Sequence, residues 1–124
     1  MSALNVIAFA LDCPDPHRLA GFYGRLLGWE IDEAESAADW VELAHPEGGV
    51  RLAFQRDPHY RPTTWPSPEV PQKAHVDVRV DDLDTGHERA LAAGATQLPQ
   101  PPDQADASFR VYADPDGHPF CLCA

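Results

Sequence analysis

His75, Asp77 and Arg79 stand two residues apart in the stretch Ala74–Val80, where Val76, Val78 and Val80 occupy the intervening places. Alternation of this kind marks a half-buried strand, so the imidazole, carboxylate and guanidinium share one face and the valines the other. A carboxylate two residues from an imidazole can orient it and raise its basicity, which suits a general base near neutral pH. His75 and Asp77 are therefore the candidate catalytic pair, with Arg79 a candidate ligand-binding cation. The plainer reading of the triplet is a hydrogen-bonded polar network, because polar interiors also need partners. Cys121 and Cys123 are likewise two apart on one strand face. They could be ligands, a redox pair or small core residues, the last being how buried thiols usually behave.

The aromatic side chains point toward binding. Trp40, Phe54, Tyr60, Trp65, Phe109 and Tyr112 fall on expected strands or on a connector, where rings could line a cavity for a planar or apolar ligand. The same rings could equally serve the core, since strands this short do not fix the phase of alternation. Phe22, Tyr23 and Trp29 belong to a helix and its exit and are assigned to the core. His17, His45, His59, His87 and His118 lack ligand spacing and read as surface or capping residues. There is no Walker loop, dinucleotide glycine fingerprint, HExxH helix or serine elbow.

The elements that must position these residues come in two similar sets. Asp15-Pro16 opens a helix whose Leu19, Phe22, Tyr23, Leu26 and Leu27 form one apolar stripe and which Gly28 stops. Asp82-Leu83 opens a second, with a weaker stripe of Leu83, His87, Ala90 and Leu91 ending at Gly94. Strands are expected at Asn5–Asp12, Trp29–Asp32, Trp40–Ala44 and Val50–Gln55 in the first set. In the second they are expected at Ala74–Val80, Thr96–Leu98, Ser108–Ala113 and Pro119–Cys123. Pro46-Glu47-Gly48 and Pro115-Asp116-Gly117 make matching turns before the closing strands. Laying Asp82 on Asp15 places Val76 on Phe9 and Val78 on Leu11, the positions expected to face the helix, while His75 falls on Ala8 and Asp77 on Ala10. Between the sets, Arg56–Lys73 holds five prolines and reads as an extended connector that could cover a cavity mouth, meet a partner or simply link. Pro99–Asp103 reads as an exposed turn.

At 124 residues and 44% hydrophobic content, the chain suits one domain with a real core. The expected division is module one at 1–56, a connector at 57–73 and module two at 74–124. Twenty acidic residues against nine basic give a net charge of −11, which repels phosphate backbones and argues against nucleic acid. No apolar run reaches spanning length and no leader pattern is evident, so no membrane partner and a cytoplasmic location are expected. Three cysteines make no disulfide framework.

The doubled order of elements, with Phe22-Tyr23, Leu27-Gly28-Trp29, Pro62-Thr63-Thr64-Trp65-Pro66, His75-Val76-Asp77, Val80-Asp81-Asp82-Leu83 and Ala113–Cys123, resembles the vicinal oxygen chelate superfamily. That group comprises glyoxalase I, the bleomycin-resistance proteins and the extradiol dioxygenases. The resemblance implies an α+β fold in which two tandem βαβββ modules form a curved mixed sheet around a cleft. It further implies a divalent metal held from four strands and chelated by the substrate through adjacent oxygens. Carried over position by position, those four places fall on Ala8, on Leu52 or Ala53, on His75 and on Cys121 where a glutamate is usual. Only His75 and Cys121 can donate, so a degenerate metal site is expected, no cofactor is required, and a metal would fall to those two residues.

The expectation is a protein that binds a small organic ligand, apolar or aromatic, between the modules, as the drug-binding resistance members do. The ligand would meet Trp40, Phe54, Tyr60, Trp65, Arg79, Tyr112 and Cys121. The alternative is a small-molecule lyase, isomerase or dioxygenase, either metal-dependent or using His75 and Asp77 for proton transfer. A partner-binding module acting through the connector is a third reading. Relatives often pair, so a homodimer is expected by analogy.

Overall fold

Asp15 and Asp82 each accept a main-chain hydrogen bond three residues ahead and thereby start the two helices around which the protein is built. Asp15 Oδ1 accepts from Arg18 N at 3.3 Å and Asp82 Oδ2 from Thr85 N at 2.9 Å. Helix α1 (Pro16–Leu27) has proline in its first turn and ends on Gly28 at φ 73°, in the left-handed region that glycine enters without steric cost. Helix α2 (Leu83–Ala93) ends on Gly94. The computed structural model describes residues 4–100, 103 and 107–124. Pro101 and Pro102 of the second proline-rich turn lie outside them.

The strands are β1 (Ala8–Cys13), β2 (Trp40–Leu43), β3 (Arg51–Arg56), β4 (Val76–Arg79), β5 (Thr96–Gln97), β6 (Phe109–Ala113) and β7 (Pro119–Cys123). One sheet runs β1-β3-β2 and the other β4-β7-β6-β5. In both, the first and last strands of the set pair in parallel, β1 with β3 and β4 with β7, and the remaining pairs are antiparallel. The protein thus consists of two tandem βαβββ-like modules with mixed sheets. The chain separates into two compact units, residues 1–60 and 61–124, so the proline-rich segment is shared between them.

In the first unit, α1 buries Leu19, Ala20, Phe22, Tyr23 and Leu26 over Val41 and Leu43 of β2 and Leu52 and Phe54 of β3. Tyr23 stacks on Phe54 at 5.6 Å between ring centres and meets Phe22 edge-on at 4.8 Å. Because α1 lies mainly over β2 and β3, the leading half of the edge strand β1 stays uncovered. Phe9, expected to face the helix, is exposed, as is Ile7 ahead of the strand, while Cys13 is enclosed. The expected strand at Trp29–Asp32 shrinks to a single bridge between Ile31 and Leu43. A 3-10 turn at Glu33–Glu35 diverts the chain there, and Asp32 is drawn onto Arg51.

In the second unit, α2 buries Gly86, Ala90 and Ala93, whereas Leu91, expected on the buried stripe, is 45% exposed. Small residues let this helix approach closely: a Cβ at Gly86 would lie 2.9 Å from Val80 Cγ1 and 3.2 Å from Leu122 Cδ1. The turn before β7 is held by Asp114, a buried carboxylate whose Oδ1 accepts from the main-chain nitrogens of Asp116 and His118 at 2.9 and 3.0 Å. His118 Nδ1 reaches Asp114 Oδ2 at 2.8 Å, so the histidine read as a surface or capping residue is fastened to a buried acid. Among the described residues, no helix is long and apolar enough to cross a membrane.

Candidate functional site: a cavity on the second sheet

Parallel pairing of β4 with β7 sets Asp77 directly across from Cys121 and Arg79 across from Cys123. Antiparallel pairing of β6 with β7 sets Val111 across from Cys121 and Phe109 across from Cys123. Side chains alternate along strands, so Asp77, Cys121, Cys123, Val111 and Phe109 share one face, joined by His75 just ahead of β4. The opposite face carries Val76, Tyr112, Phe120 and Leu122. Over the first face lies a cavity of about 390 Å³. Its walls are Phe109, Val111, Pro119, Trp65 and the two thiols, and its polar groups come from His75, Asp77, Gln72 and Ser108. All of these lie in the second unit.

His75 Nε2 is 3.0 Å from Asp77 Oδ1, with the two side chains 40% and 61% exposed. Cys121 is buried, and burial, reinforced by the Asp77 carboxylate, pushes its thiol up to about 11. Cys123 is also raised, first by burial and then by Asp77. Both thiols are therefore protonated at neutral pH and line the cavity as weakly polar groups, not as nucleophiles. The Trp65 indole nitrogen is buried and has no hydrogen-bond partner among the described residues.

The structure brings together His75, Asp77, Trp65 and Cys121 from the expected site residues. Arg79, across from Cys123 and so on the same sheet face, is not among the residues lining the cavity; it lines a separate groove with Thr85 and Arg89 beside the start of α2. Tyr112 is fully buried on the helix side, stacked on Phe120 at 5.6 Å with its hydroxyl 2.7 Å from His87 Nδ1. Phe54 is fully buried against Tyr23. Both rings fill core positions, for a physical reason: each is on the sheet face that the adjacent helix covers. Trp40 spends its N–H on Glu42 Oε2 at 2.8 Å, within a group in which Arg51 also binds Asp32 and Glu42. Tyr60 closes the first unit, its main-chain nitrogen donating to Asp57 O at 3.1 Å. Gln72, Ser108, Val111 and Pro119 were not singled out from sequence. Alternation outward from Cys121 finds Pro119, and pairing with β7 finds Val111.

The family model described as "Glyoxalase-like domain" matches residues 8–123, nearly the whole length. The chain belongs to that family. With it goes membership of the vicinal oxygen chelate superfamily. A glyoxalase/bleomycin resistance protein/dioxygenase family enzyme from Burkholderia phytofirmans superposes on this glyoxalase-like protein with a TM-score of 0.74 at 19% identity, over 96% of this chain and 97% of the other. TnmS3, an antibiotic binding protein from Streptomyces, gives 0.61 at 19% identity over 99% and 97%. FosX, a fosfomycin resistance protein from Listeria monocytogenes solved with Mn(II) and dihydroxypropylphosphonic acid, gives 0.64 at 17% identity over 100% and 90%. At these identities the likeness is one of fold. No curated protein matches the sequence significantly.

The metal that such a fold implies can be tested against the donors present. Ala8, Leu52 and Ala53 have no donor atom, so a set drawn from four strands does not fit. A smaller one does: single ligand atoms of His75, Asp77 and Cys121 all lie within 4.8 Å of one another.

Proposed function

We propose that this glyoxalase-like protein binds a small organic molecule, apolar or aromatic over most of its surface, in the cavity of the second unit. The observation that carries the reading is the cavity itself. Its volume of about 390 Å³ suits a small guest, and an apolar wall is punctuated by a few convergent polar groups, the usual make-up of a ligand pocket. Phe109 and Trp65 offer ring faces, while His75 and Asp77 offer hydrogen bonds that would fix orientation. Relatives of the same fold described as an antibiotic binding protein and a fosfomycin resistance protein support a small guest molecule.

The test begins with native mass spectrometry of gently purified protein, followed by a panel of small aromatic compounds added with chelator present. Trp65 emission in a Trp29→Phe, Trp40→Phe background reports occupancy. A bound guest should change that emission, and Phe109→Ala should weaken it by about tenfold or more, the loss expected for a buried ring in a contact site. No retained mass and no compound that perturbs Trp65 would sink the reading. A second reading, proton transfer on the bound molecule by His75 oriented by Asp77, is favoured by their 3.0 Å contact. For it, His75→Ala must abolish turnover of an identified substrate while leaving its binding intact.

A further inference from the structure

We propose that His75, Asp77 and Cys121 form a three-ligand site for a thiophilic divalent cation, with zinc the best match to the donors. The strand register creates the set. Asp77 and Cys121 are direct partners across the β4/β7 ladder, and His75 precedes Asp77 by two residues, so both β4-side donors fall on the face that Cys121 occupies. No main-chain rearrangement is needed to bring them together. Zinc bonds of about 2.0–2.3 Å in a tetrahedron hold the donors roughly 3.2–3.8 Å apart. Donors already within 4.8 Å of each other reach that spacing by side-chain rotation.

The kinds of atom decide which ion. One imidazole nitrogen, one carboxylate oxygen and one sulfur form a mixed set in which the thiolate favours zinc and its soft neighbours over magnesium, calcium or manganese. On binding, the Cys121 S–H bond breaks, sulfur keeps the electron pair for the metal and the proton passes to solvent. Three protein donors that all line the cavity would leave a tetrahedral ion one position for water or an oxygen of a guest. The site differs in composition from one shared among four strands of two modules. Its third donor is Asp77, on the same strand as His75, and no residue of the first unit is required. Its three donors also line the proposed guest site, but the metal site does not depend on a guest being bound.

The experiment uses the full, untagged chain, reduced and stripped of metal. Zn²⁺ should bind with one ion per chain and at least about 100-fold more tightly than Mg²⁺ in calorimetric titration. Co²⁺ should produce the sulfur-to-cobalt charge-transfer band that only a thiolate ligand gives. Cys121→Ser should remove that band, while Cys123→Ser leaves it. Asp77→Asn, at an exposed position that leaves the fold intact, should weaken Zn²⁺ by at least about 10-fold, the loss that follows even from removing an outer partner of a ligand. A missing band, a band that follows Cys123, Mg²⁺ binding as tight as Zn²⁺, or Zn²⁺ affinity indifferent to Asp77→Asn overturns the proposal. Guest binding is measured with chelator present, so either idea can fail without the other.

Discussion

Asp114 shows how one side chain upstream can decide what the cavity holds. Its carboxylate ties down two main-chain nitrogens and the His118 ring, and seven residues after Asp114 the chain delivers Cys121 to its place across from Asp77. Asp114→Ala leaves those buried donors without an acceptor, a loss of about 1–3 kcal/mol for each group so stranded. Asp114→Asn keeps an oxygen for the main-chain nitrogens and surrenders only the charge facing His118. Chemical denaturation should therefore rank the wild type above Asp114→Asn and that variant well above Asp114→Ala; equal midpoints for the two variants would remove Asp114 from this role. The same scale explains what the sequence concealed about the cavity. His75 and Asp77 were legible from alternation and Cys121 from the family resemblance that set it beside His75, but its place across from Asp77 depends on pairing between strands far apart in the chain, which no local pattern encodes. Tyr112 and Phe54 were misplaced for a related reason: a five- or six-residue strand has two possible phases, and only the helix lying on one face selects between them.

At the scale of elements, α1 was readable from end to end, because Asp15, Pro16, the apolar stripe and Gly28 all give the same answer. Helix α2 was readable at its ends and only in part in its face. Ala90 of the expected stripe is fully buried, but Gly86 and Ala93, which contribute almost nothing to an apolar period, are buried with it, and Leu91 is left outside. The cap of α2 also carries a pH signature. Hydrogen bonds from Thr85, the main-chain N–H first and the hydroxyl second, hold the Asp82 carboxyl below its ordinary value. A carboxyl depressed in the folded state adds stability above its unfolded pKa of about 4 and loses that contribution as pH falls through the folded value. The melting-temperature gap between the wild type and Asp82→Ala should thus be full at neutral pH and close as the pH is lowered below about 4. A gap that stays constant across that range would mean that the carboxylate is not the cap.

Across the whole molecule, the net charge of −11 sets a field that repels phosphate backbones and leaves the chemistry to local clusters such as the one on the second sheet. The doubled architecture was visible in sequence because each copy repeats its start, stop and turn residues, whereas the polar face of the second copy has no counterpart in the first: Ala8 and Ala10 lie where His75 and Asp77 do. Each sheet also has the same order of assembly written into it. The strand that comes last in each set lies between the first strand and the one made just before it, β3 beside β1 and β7 beside β4. Neither sheet can be completed until its final segment has been threaded home across a gap of about forty residues, and closing so long a loop is entropically slow. Stopped-flow refolding should accordingly run in milliseconds to seconds and not microseconds. The ability of this chain to recognise anything is thus acquired late in its maturation: a nascent chain lacking its closing segment would already carry His75 and Asp77 but would have nothing opposite them.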